Sequence, residues 1–480
     1  MDYGITAFGA YIPRLRLSRG VIAAAHRWMA PSLAGGAKGS RAFCSWDEDS
    51  VTMAVESARD CLRGGVASDI TSVTLASTSL PYADLQNSAI VAAALALPES
   101  VASSDAAGSQ RAATSALIKA FAARQDGALL IASDKPRAKP ASAQEMLYGA
   151  GAAALRLGTR NVIARLIGSA SVSDMFIDHF RASDHKYDYF WEERWIRDEG
   201  YSTIAPKAIK AALAAAGLAI GDIDHFVMPS MMKGAAQAVA KVIGFKGTPA
   251  QTLDEDCGYC GAAHALMMLA GVLETATKGQ KVLLVGFGQG ADALVLEIAA
   301  DPEAPKGRRG VPGSLKDKLL TEDYLRLLSF YDDIDLEWGM RGEKSGKAAL
   351  TEVYRKSDEL LSFQAGKCRA CGTVQFPQLA YCVNPKCNAP AAQFDACSLV
   401  DEPARVLTYT EDWLSYHPAP PLFVGFVQFA NGARLLMETV EATAATMEIG
   451  VPLRMVFRIK ERDKIRGFNR YFWKATPINI

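Results

Sequence analysis

The sequence predicts an α/β protein in two parts: a duplicated, layered α/β/α/β/α domain, then a four-cysteine zinc ribbon and a small β-barrel. Three observations carry this. Helical and strand patterns alternate through residues 1–300, and the same order of elements runs twice. Alternation calls for a mostly parallel sheet covered on both faces, and the recurrence signals an internal duplication. Cys368, Cys371, Cys382 and Cys387 are spaced C-x2-C, ten residues, C-x4-C, two tight pairs that set four thiolates at the corners of the tetrahedron zinc prefers. From about residue 398 five short strands follow one another between turn signals, the pattern of a barrel of the oligonucleotide/oligosaccharide-binding (OB) type.

In the first half, GITAFGAYIP is the first strand, and residues 47–63 (DEDSVTMAVESARDCLR) read as an amphipathic helix. Its acidic residues are expected in the first turn, where the helix dipole favours them. Strand 70–77, helix 86–96, a short strand near 101, helix 109–125 and strands 127–133 and 149–157 complete it. The second half has helix 203–217, strand 223–229, helix 234–243, an extended stretch near 250, helix 260–277 and strands 281–287 and 291–298. Residues 301–320 are polar, basic and rich in Pro and Gly, a linker composition. The expected plan is a layered domain at 1–300, a linker and charged helical segment at 301–362, the ribbon at 363–395 and the barrel at 396–480.

Lys+Arg and Asp+Glu are both 52 over 480 residues, so the net charge is zero. That argues against nucleic acid or an anionic membrane as the main partner. No run approaches the 18 apolar residues of a membrane helix, and the N-terminus lacks the pattern of a signal peptide. The expectation is a soluble, cytoplasmic protein whose nine cysteines are metal ligands or free thiols. A closed four-cysteine site has no open coordination position, so its zinc is structural; Cys397 is a fifth candidate or a buried thiol. Arg454, Arg458, Lys460, Arg462, Lys464, Arg466 and Arg470 interleave with Phe468, Tyr471, Phe472 and Trp473. They read as a solvated edge beside core aromatics, as a binder of single-stranded nucleic acid, or as a surface for the phosphates of a substrate such as coenzyme A.

The loop DEDCGYCGAAHAL at 254–266 precedes the second-half counterpart of helix 109–125, and the two N-termini should converge on one pocket. Cys257 or Cys260 at a helix N-terminus would have a lowered pKa. Tyr259, Asp256 and His264 are candidates for proton transfer. Cys260 and His264 are equally readable as core-facing side chains, and CGYC also as a thiol–disulfide motif. Ser109 is a second candidate nucleophile, with Asp105 the nearest acid, or a plain N-cap.

YIPRLRLSR at 11–19, SWDEDSVTMAVESAR at 45–59, EMLYGAGAAAL at 145–155, VMPSMMKGAA at 227–236 and GFGQGADAL at 286–294 resemble the 3-hydroxy-3-methylglutaryl-CoA synthase family of the thiolase superfamily. KCRACGTVQFP at 367–377 and RYFWKATP at 470–477 resemble the acyl-CoA-associated zinc-ribbon/OB family, here fused. The resemblance implies a thiolase-like fold, a coenzyme A thioester substrate, a homodimer, and making or breaking of a C–C bond beside a thioester carbonyl. It implies catalysis by a cysteine, a glutamate and a histidine, and here the chain departs. Gln110 of QRAATSAL stands at the cysteine position, Thr78 of ASTS at the glutamate and Val227 of FVMP at the histidine, with Ser109 and His225 the nearby substitutes. Cys257 falls at the family's active-site asparagine. The segment 171–195 resembles the substrate-facing loop, which gives Asp174, Asp178, His179 and Arg181 as substrate-binding candidates, with Lys233 of the fourth block. Loss of all three catalytic residues favours aldol or retro-aldol chemistry over condensation through a relocated cysteine. A non-catalytic acyl-CoA-binding subunit and a nucleic-acid-binding protein are the other readings.

Overall fold

Nine strands line up in one sheet among the described residues (2–63, 65, 67–303, 305, 307–343 and 346–478) of a computed structural model. They are β1 (Gly4–Tyr11), β2 (Ser72–Ala76), β3 (Ala102–Ala106), β4 (Ala128–Asp134), β5 (Gly151–Gly158), β6 (Ala164–Ser173), β7 (His225–Val227), β8 (Lys281–Phe287) and β9 (Gly290–Ile298). Their spatial order is β7-β8-β9-β6-β1-β5-β4-β2-β3. Read outward from the β1–β6 pairing, both halves run in the same sequence, β1-β5-β4-β2-β3 and β6-β9-β8-β7, so the duplication is visible in the sheet itself.

The sheet is mixed rather than mostly parallel. β2–β3, β2–β4 and β7–β8 pair in parallel, while β1–β5, β1–β6, β4–β5, β6–β9 and β8–β9 are antiparallel. The tight turn from Phe287 to Gly290 is too short for a crossover and makes a hairpin. β6 was absent from the sequence reading, although a duplicated fold requires a counterpart to β1 at that place. Its ARLIGSASVS carries too many small polar residues to show a strand period. The stretch near 250, counterpart to β3, forms no strand; one main-chain bond, Ala250 N–H to the Phe226 carbonyl at 2.8 Å, remains.

Four helices position the site: α1 (Ser50–Cys61), α2 (Ala112–Ala123), α3 (Ala205–Ala216) and α4 (His264–Leu273). The acidic cluster before α1 lies outside its first turn. Asp49 is the N-cap and forms a capping box with Thr52, each side chain accepting from the other's main-chain N–H, at 2.9 and 2.8 Å. α4 (HALMMLAGVL) is apolar on nearly every side because it is packed on nearly every side, and it shares one core with α2 and strands of both halves. α3 and the helix Ala235–Ile243 build a second core against β8 and β9. The stretch 301–320 is no plain linker. Helix Gly310–Lys316 packs on β1 and α4, and Leu319–Thr321 pairs in parallel with Leu15–Ser18.

The chain divides into two compact units: Met1–Ser45, Asp49–Ala92 and Leu97–Leu328 form one, and Trp46–Glu48, Ala93–Ala96 and Ser329–Ile480 the other. In the second, Ala404–Val406, Leu422–Phe429, Arg434–Thr439, Pro452–Asp463 and Phe468–Pro477 close into a five-strand barrel, with Thr410–Asp412 added at one side. The basic run of the last two long strands is ion-paired. Arg458, fully buried, meets Glu48 at 3.2 Å and Glu441 at 3.0 Å. Lys474 meets Asp47 and Glu438, both at 3.0 Å, and lies over the Trp46 ring. Lys460, Arg462, Lys464, Arg466 and Arg470 have carboxylates within 4.0 Å. Tyr471 and Trp473 are core residues, and Phe472 packs on Phe363. Most of the cations and rings that suggested a nucleic-acid surface thus have partners within the barrel unit.

Asp47 and Lys474 are each 1% exposed, and removing one partner of a buried pair strands the other's charge. Lys474→Met is expected to lower the stability of the barrel unit by about 3–5 kcal/mol in chemical denaturation. Burial works to raise the Glu438 carboxyl, but Lys474 and His417 pull it down to about 2. Its contribution is therefore complete above its unfolded value of about 4.3 and is lost as pH falls from there toward 2. Acid-induced unfolding of wild type and Glu438→Gln checks this; the variant should be less stable at neutral pH and less acid-sensitive in that window.

Candidate active site

Gln110 ends the turn between β3 and α2 and is 6% exposed. The turn is held by the Gly288 carbonyl, which accepts from Ser109 Oγ at 2.9 Å and Arg111 Nε at 2.9 Å. Arg111 also pairs with the fully buried Asp292 at 2.7 Å. Ser109 is thus anchored to main chain. Asp105 is no base for it, because its carboxylate caps helix Asn87–Ala94 through the Asn87 and Ser88 N–H groups, both at 2.8 Å.

Against Gln110 stand two groups from elsewhere in the chain. Its Nε2 lies 3.2 Å from His179 Nε2, and its Oε1 accepts from the Tyr259 hydroxyl at 3.5 Å. Asp178, 1% exposed, comes within 3.0 Å of His179 Nδ1, and its other oxygen accepts from Gln289 Nε2 at 2.8 Å. Burial pulls the imidazole pKa down, but contact with Asp178 and the charge of Asp188 outweigh it, and the pKa is raised. The Tyr259 pKa is pushed well above its ordinary value by burial and by neighbouring Tyr201 and Asp178, so the phenol stays protonated.

The second-half loop reaches this place because it is clasped by the first half. Tyr259 N–H donates to the Leu147 carbonyl at 2.7 Å, and Gly149 N–H to the Tyr259 carbonyl at 2.9 Å. A β-carbon at Gly149 would fall on the Cys257 carbonyl, so only glycine permits this approach. Tyr148 donates to Asp188 at 2.8 Å, Arg181 pairs with the same carboxylate at 2.8 Å, and Arg181 also donates to the Thr78 carbonyl. Burial raises the pKa of Asp188, against the opposing pull of Arg181 and His179. Thr78 Oγ1 donates at 2.7 Å to Asp134, a fully buried carboxylate at the end of β4 that also takes Ser79 Oγ and the Ala262 N–H at 2.9 Å.

The structure therefore gathers Gln110, Tyr259, His179, Arg181 and Thr78, with Asp178, around one place. It does not gather the others. His264 has both ring nitrogens on main chain, Nδ1 accepting from Cys260 N–H at 3.0 Å and Nε2 facing the Thr252 carbonyl, and burial lowers its pKa. It is a neutral structural imidazole. The Cys257 thiol points at the Leu253 and Gly258 carbonyls at 3.4 and 3.5 Å, and Cys257 closes a short helix, Asp254–Cys257, instead of opening one. Burial and Cys257 push the Cys260 thiol well above its usual pKa, the reverse of nucleophile activation. Asp174 and Lys233 are exposed, Asp256 is half-buried, and His225 bonds Gln280 at 3.0 Å beside the start of β8. Gln289, Asp188, Tyr148 and Asp134 were missed; GFGQG, DHKYDYF and EMLYG carried three of them as parts of blocks, without a spacing that assigns a role.

A second constellation lies in the barrel unit. Strands Gln364–Cys368 and Val374–Gln375 flank a turn through Gly372 (φ +76°), and the Sγ atoms of Cys368, Cys371, Cys382 and Cys387 all lie within 4.8 Å of one another. Cys368–Cys387 and Cys371–Cys382 are 3.8 and 3.6 Å apart. Four sulfurs about 2.3 Å from a tetrahedral centre lie about 3.8 Å from one another, so the donor set fits a metal.

Residues 213–298 match the family described as 3-oxoacyl-[acyl-carrier-protein (ACP)] synthase III C terminal. A hydroxymethylglutaryl-CoA synthase of Caldivirga maquilingensis is 30% identical over 342 residues, 68% of this chain and 97% of that protein. The chain belongs to the hydroxymethylglutaryl-CoA synthase family. The family's counterpart from Methanocaldococcus jannaschii is 28% identical over 64% of this chain and 92% of its own length. The solved structure of an HMG-CoA synthase complexed with CoA superposes with a TM-score of 0.60 at 18% identity, covering 72% of this chain and 95% of that one. FabH, the 3-oxoacyl-(acyl carrier protein) synthase III of Pseudomonas aeruginosa PAO1, gives 0.55 at 21% identity over 62% and 99%. The fold is thus that of the thiolase superfamily to which the synthase family belongs. Among the described residues no helix is long and apolar enough to cross a membrane.

Cys257 and Cys260 are fully buried. Iodoacetamide applied to the native protein is expected to leave both unmodified, and to modify both after denaturation, by peptide mass spectrometry. Rapid native labelling of Cys257 would return it to candidacy as a nucleophile.

Proposed function

We propose that the chain is an acyl-CoA enzyme that breaks or makes a C–C bond beside a thioester carbonyl by aldol-type chemistry, with no acyl-enzyme intermediate. Family membership supports the acyl-CoA substrate class, as does the likeness to synthases solved with CoA and with 3-hydroxy-3-methylglutaryl coenzyme A. The observation that carries the mechanism is the side chain at position 110. An amide, which cannot form a thioester, faces an imidazole–carboxylate pair on one side and a protonated phenol on the other.

In the cleavage direction, His179 Nε2 accepts the proton of a β-hydroxyl. The new carbonyl forms as the adjacent C–C bond breaks, and its electrons pass to the thioester as an enolate. Tyr259 supplies the proton that the enolate carbon takes up, and a shorter acyl-CoA leaves with the carbonyl product. Asp178, fixed by Gln289, stabilises the imidazolium, and Arg181 and Asp188 hold the loop that carries His179. The reverse sequence is an aldol addition.

We further infer that Cys368, Cys371, Cys382 and Cys387 bind one structural Zn2+ in a ribbon at 363–395, that the barrel at 396–480 is of OB type, and that two chains associate. The sulfur separations support the first. The purified protein should carry about one zinc per chain by elemental analysis, and the double variant Cys371→Ser, Cys382→Ser should carry none.

Two measurements test the chemistry. Intact-mass analysis after incubation with acetyl-CoA and other acyl-CoAs should show no adduct; a thioester on any cysteine would replace this reading with covalent condensation. A panel of β-hydroxyacyl-CoAs should be cleaved, with kcat/KM reduced about 10²–10⁴-fold in His179→Ala and in Tyr259→Phe. Because the His179 pKa is raised and the base must be neutral, the acid limb of kcat/KM should fall above the ordinary imidazole value of about 6.5. Tight CoA-thioester binding with no turnover would instead indicate a binding subunit.

A further inference from the structure

We infer that the Gln110 amide couples base to acid, turning over its terminal torsion when His179 takes a proton and so freeing the Tyr259 hydroxyl to give one up. The inference rests on the aldol reading only for the use to which the two protons are put. It concerns a positioning role, since Gln110 acts through its two neighbours.

The hydrogen-bond inventory allows two arrangements. His179 Nδ1 lies 3.0 Å from the Asp178 carboxylate, whose charge favours a proton on Nδ1 over Nε2. With the imidazole neutral, Nε2 is an acceptor. The Gln110 NH2 must then face it at 3.2 Å, and Gln110 Oε1 faces the Tyr259 hydroxyl, which donates at 3.5 Å. Once Nε2 is protonated it becomes a donor, and the amide NH2 before it is a donor too. Half a turn about the last Gln110 torsion, a broad two-fold rotor, puts Oε1 on Nε2–H and NH2 on the Tyr259 oxygen. Tyr259 then accepts, and its own proton turns away from the amide. Gln110, His179 and Tyr259 are 6%, 8% and 4% exposed, and an unmade bond among buried groups is costly, so the reversal is driven.

The timing suits cleavage. The β-hydroxyl proton arrives on Nε2 as the C–C bond breaks, and at that moment Tyr259 O–H is released toward the enolate carbon. Tyrosinate and imidazolium exchange one proton through solvent as product leaves, which restores the start. The charged and titratable groups facing His179 are Asp178, Asp188 and Arg181; those facing Tyr259 are Tyr148, Tyr201, Asp178, Asp134, Asp254 and His264.

The test reads the amide and the imidazole directly by NMR of full-length protein labelled with 15N in histidine and in glutamine side chains. In wild type, neutral His179 should show the Nδ1–H tautomer, and the Gln110 side-chain amide signals should change at the midpoint of the His179 titration. A different midpoint, or the Nε2–H tautomer, overturns the relay. In Gln110→Glu, which can only accept, the His179 midpoint should rise by about one pH unit or more, and the acid limb of kcat/KM should rise with it. An unmoved midpoint in a folded variant overturns the relay as well. Should wild type show the coupled transition but cleave no β-hydroxyacyl-CoA, the relay stands and the aldol reading fails.

Discussion

Two main-chain hydrogen bonds, from Tyr259 to Leu147 and from Gly149 back to Tyr259, hold the site together. They join the loop before α4 to the start of β5, and thus one half of the duplicated fold to the other. Such a clasp needs backbones closer than side chains allow, hence Gly149, and Gly258 beside it at φ +83°. With the clasp made, Tyr259 is buried with its hydroxyl toward Gln110. The buried thiols and His264 that surround it are the packing of that loop. The CGYCGAAH segment reads as a cluster of reactive groups in one dimension and as a hinge pin in three.

Much of the fold was legible because periodicity reports burial. β1, β4, β8 and β9 are apolar runs buried on both faces, and α1, α2 and α3 start and stop within a few residues of where their pattern says. The failures share a cause. β6 spells Ser, Gly and Ser where a strand signal needs branched side chains, and its place is set by β1 and β9 instead of its own propensity. The 301–320 stretch has the composition of a linker, yet Asp60 recruits the Arg309 and Gly310 N–H groups at 2.7 and 2.9 Å and seats a helix there. Neither signal lies in the segment itself. The repeat was the stronger clue, since it demands a partner for β1.

The site was half legible for a related reason. Motif position located Gln110 and Thr78, but roles arise from pairs distant in sequence. His179 was legible as a group near substrate; that it has a carboxylate behind it and an amide before it depends on Gln289, 110 positions on from His179's own carbonyl contact. The cysteines misled because a thiol's reactivity depends on its field and not on its neighbours in sequence. Helix Asp254–Cys257 ends at the thiol, leaving it among carbonyls. The four barrel-unit cysteines were readable since C-x2-C fixes its own geometry locally.

The side chains at 78 and 110 belong together as physics. The Gln110 amide stands between an imidazole backed by Asp178 and a protonated phenol. It offers a donor to one and an acceptor to the other at once. An amide cannot form a thioester, so position 110 contributes hydrogen bonds and no nucleophile. A glutamate at 78 would lie beside Asp134, two carboxylates on one site, and one of them would have to hold a proton. The Asp134 carboxylate at the end of β4 and the amide at the head of α2 set the hydrogen bonds on which the proposed acid/base chemistry rests.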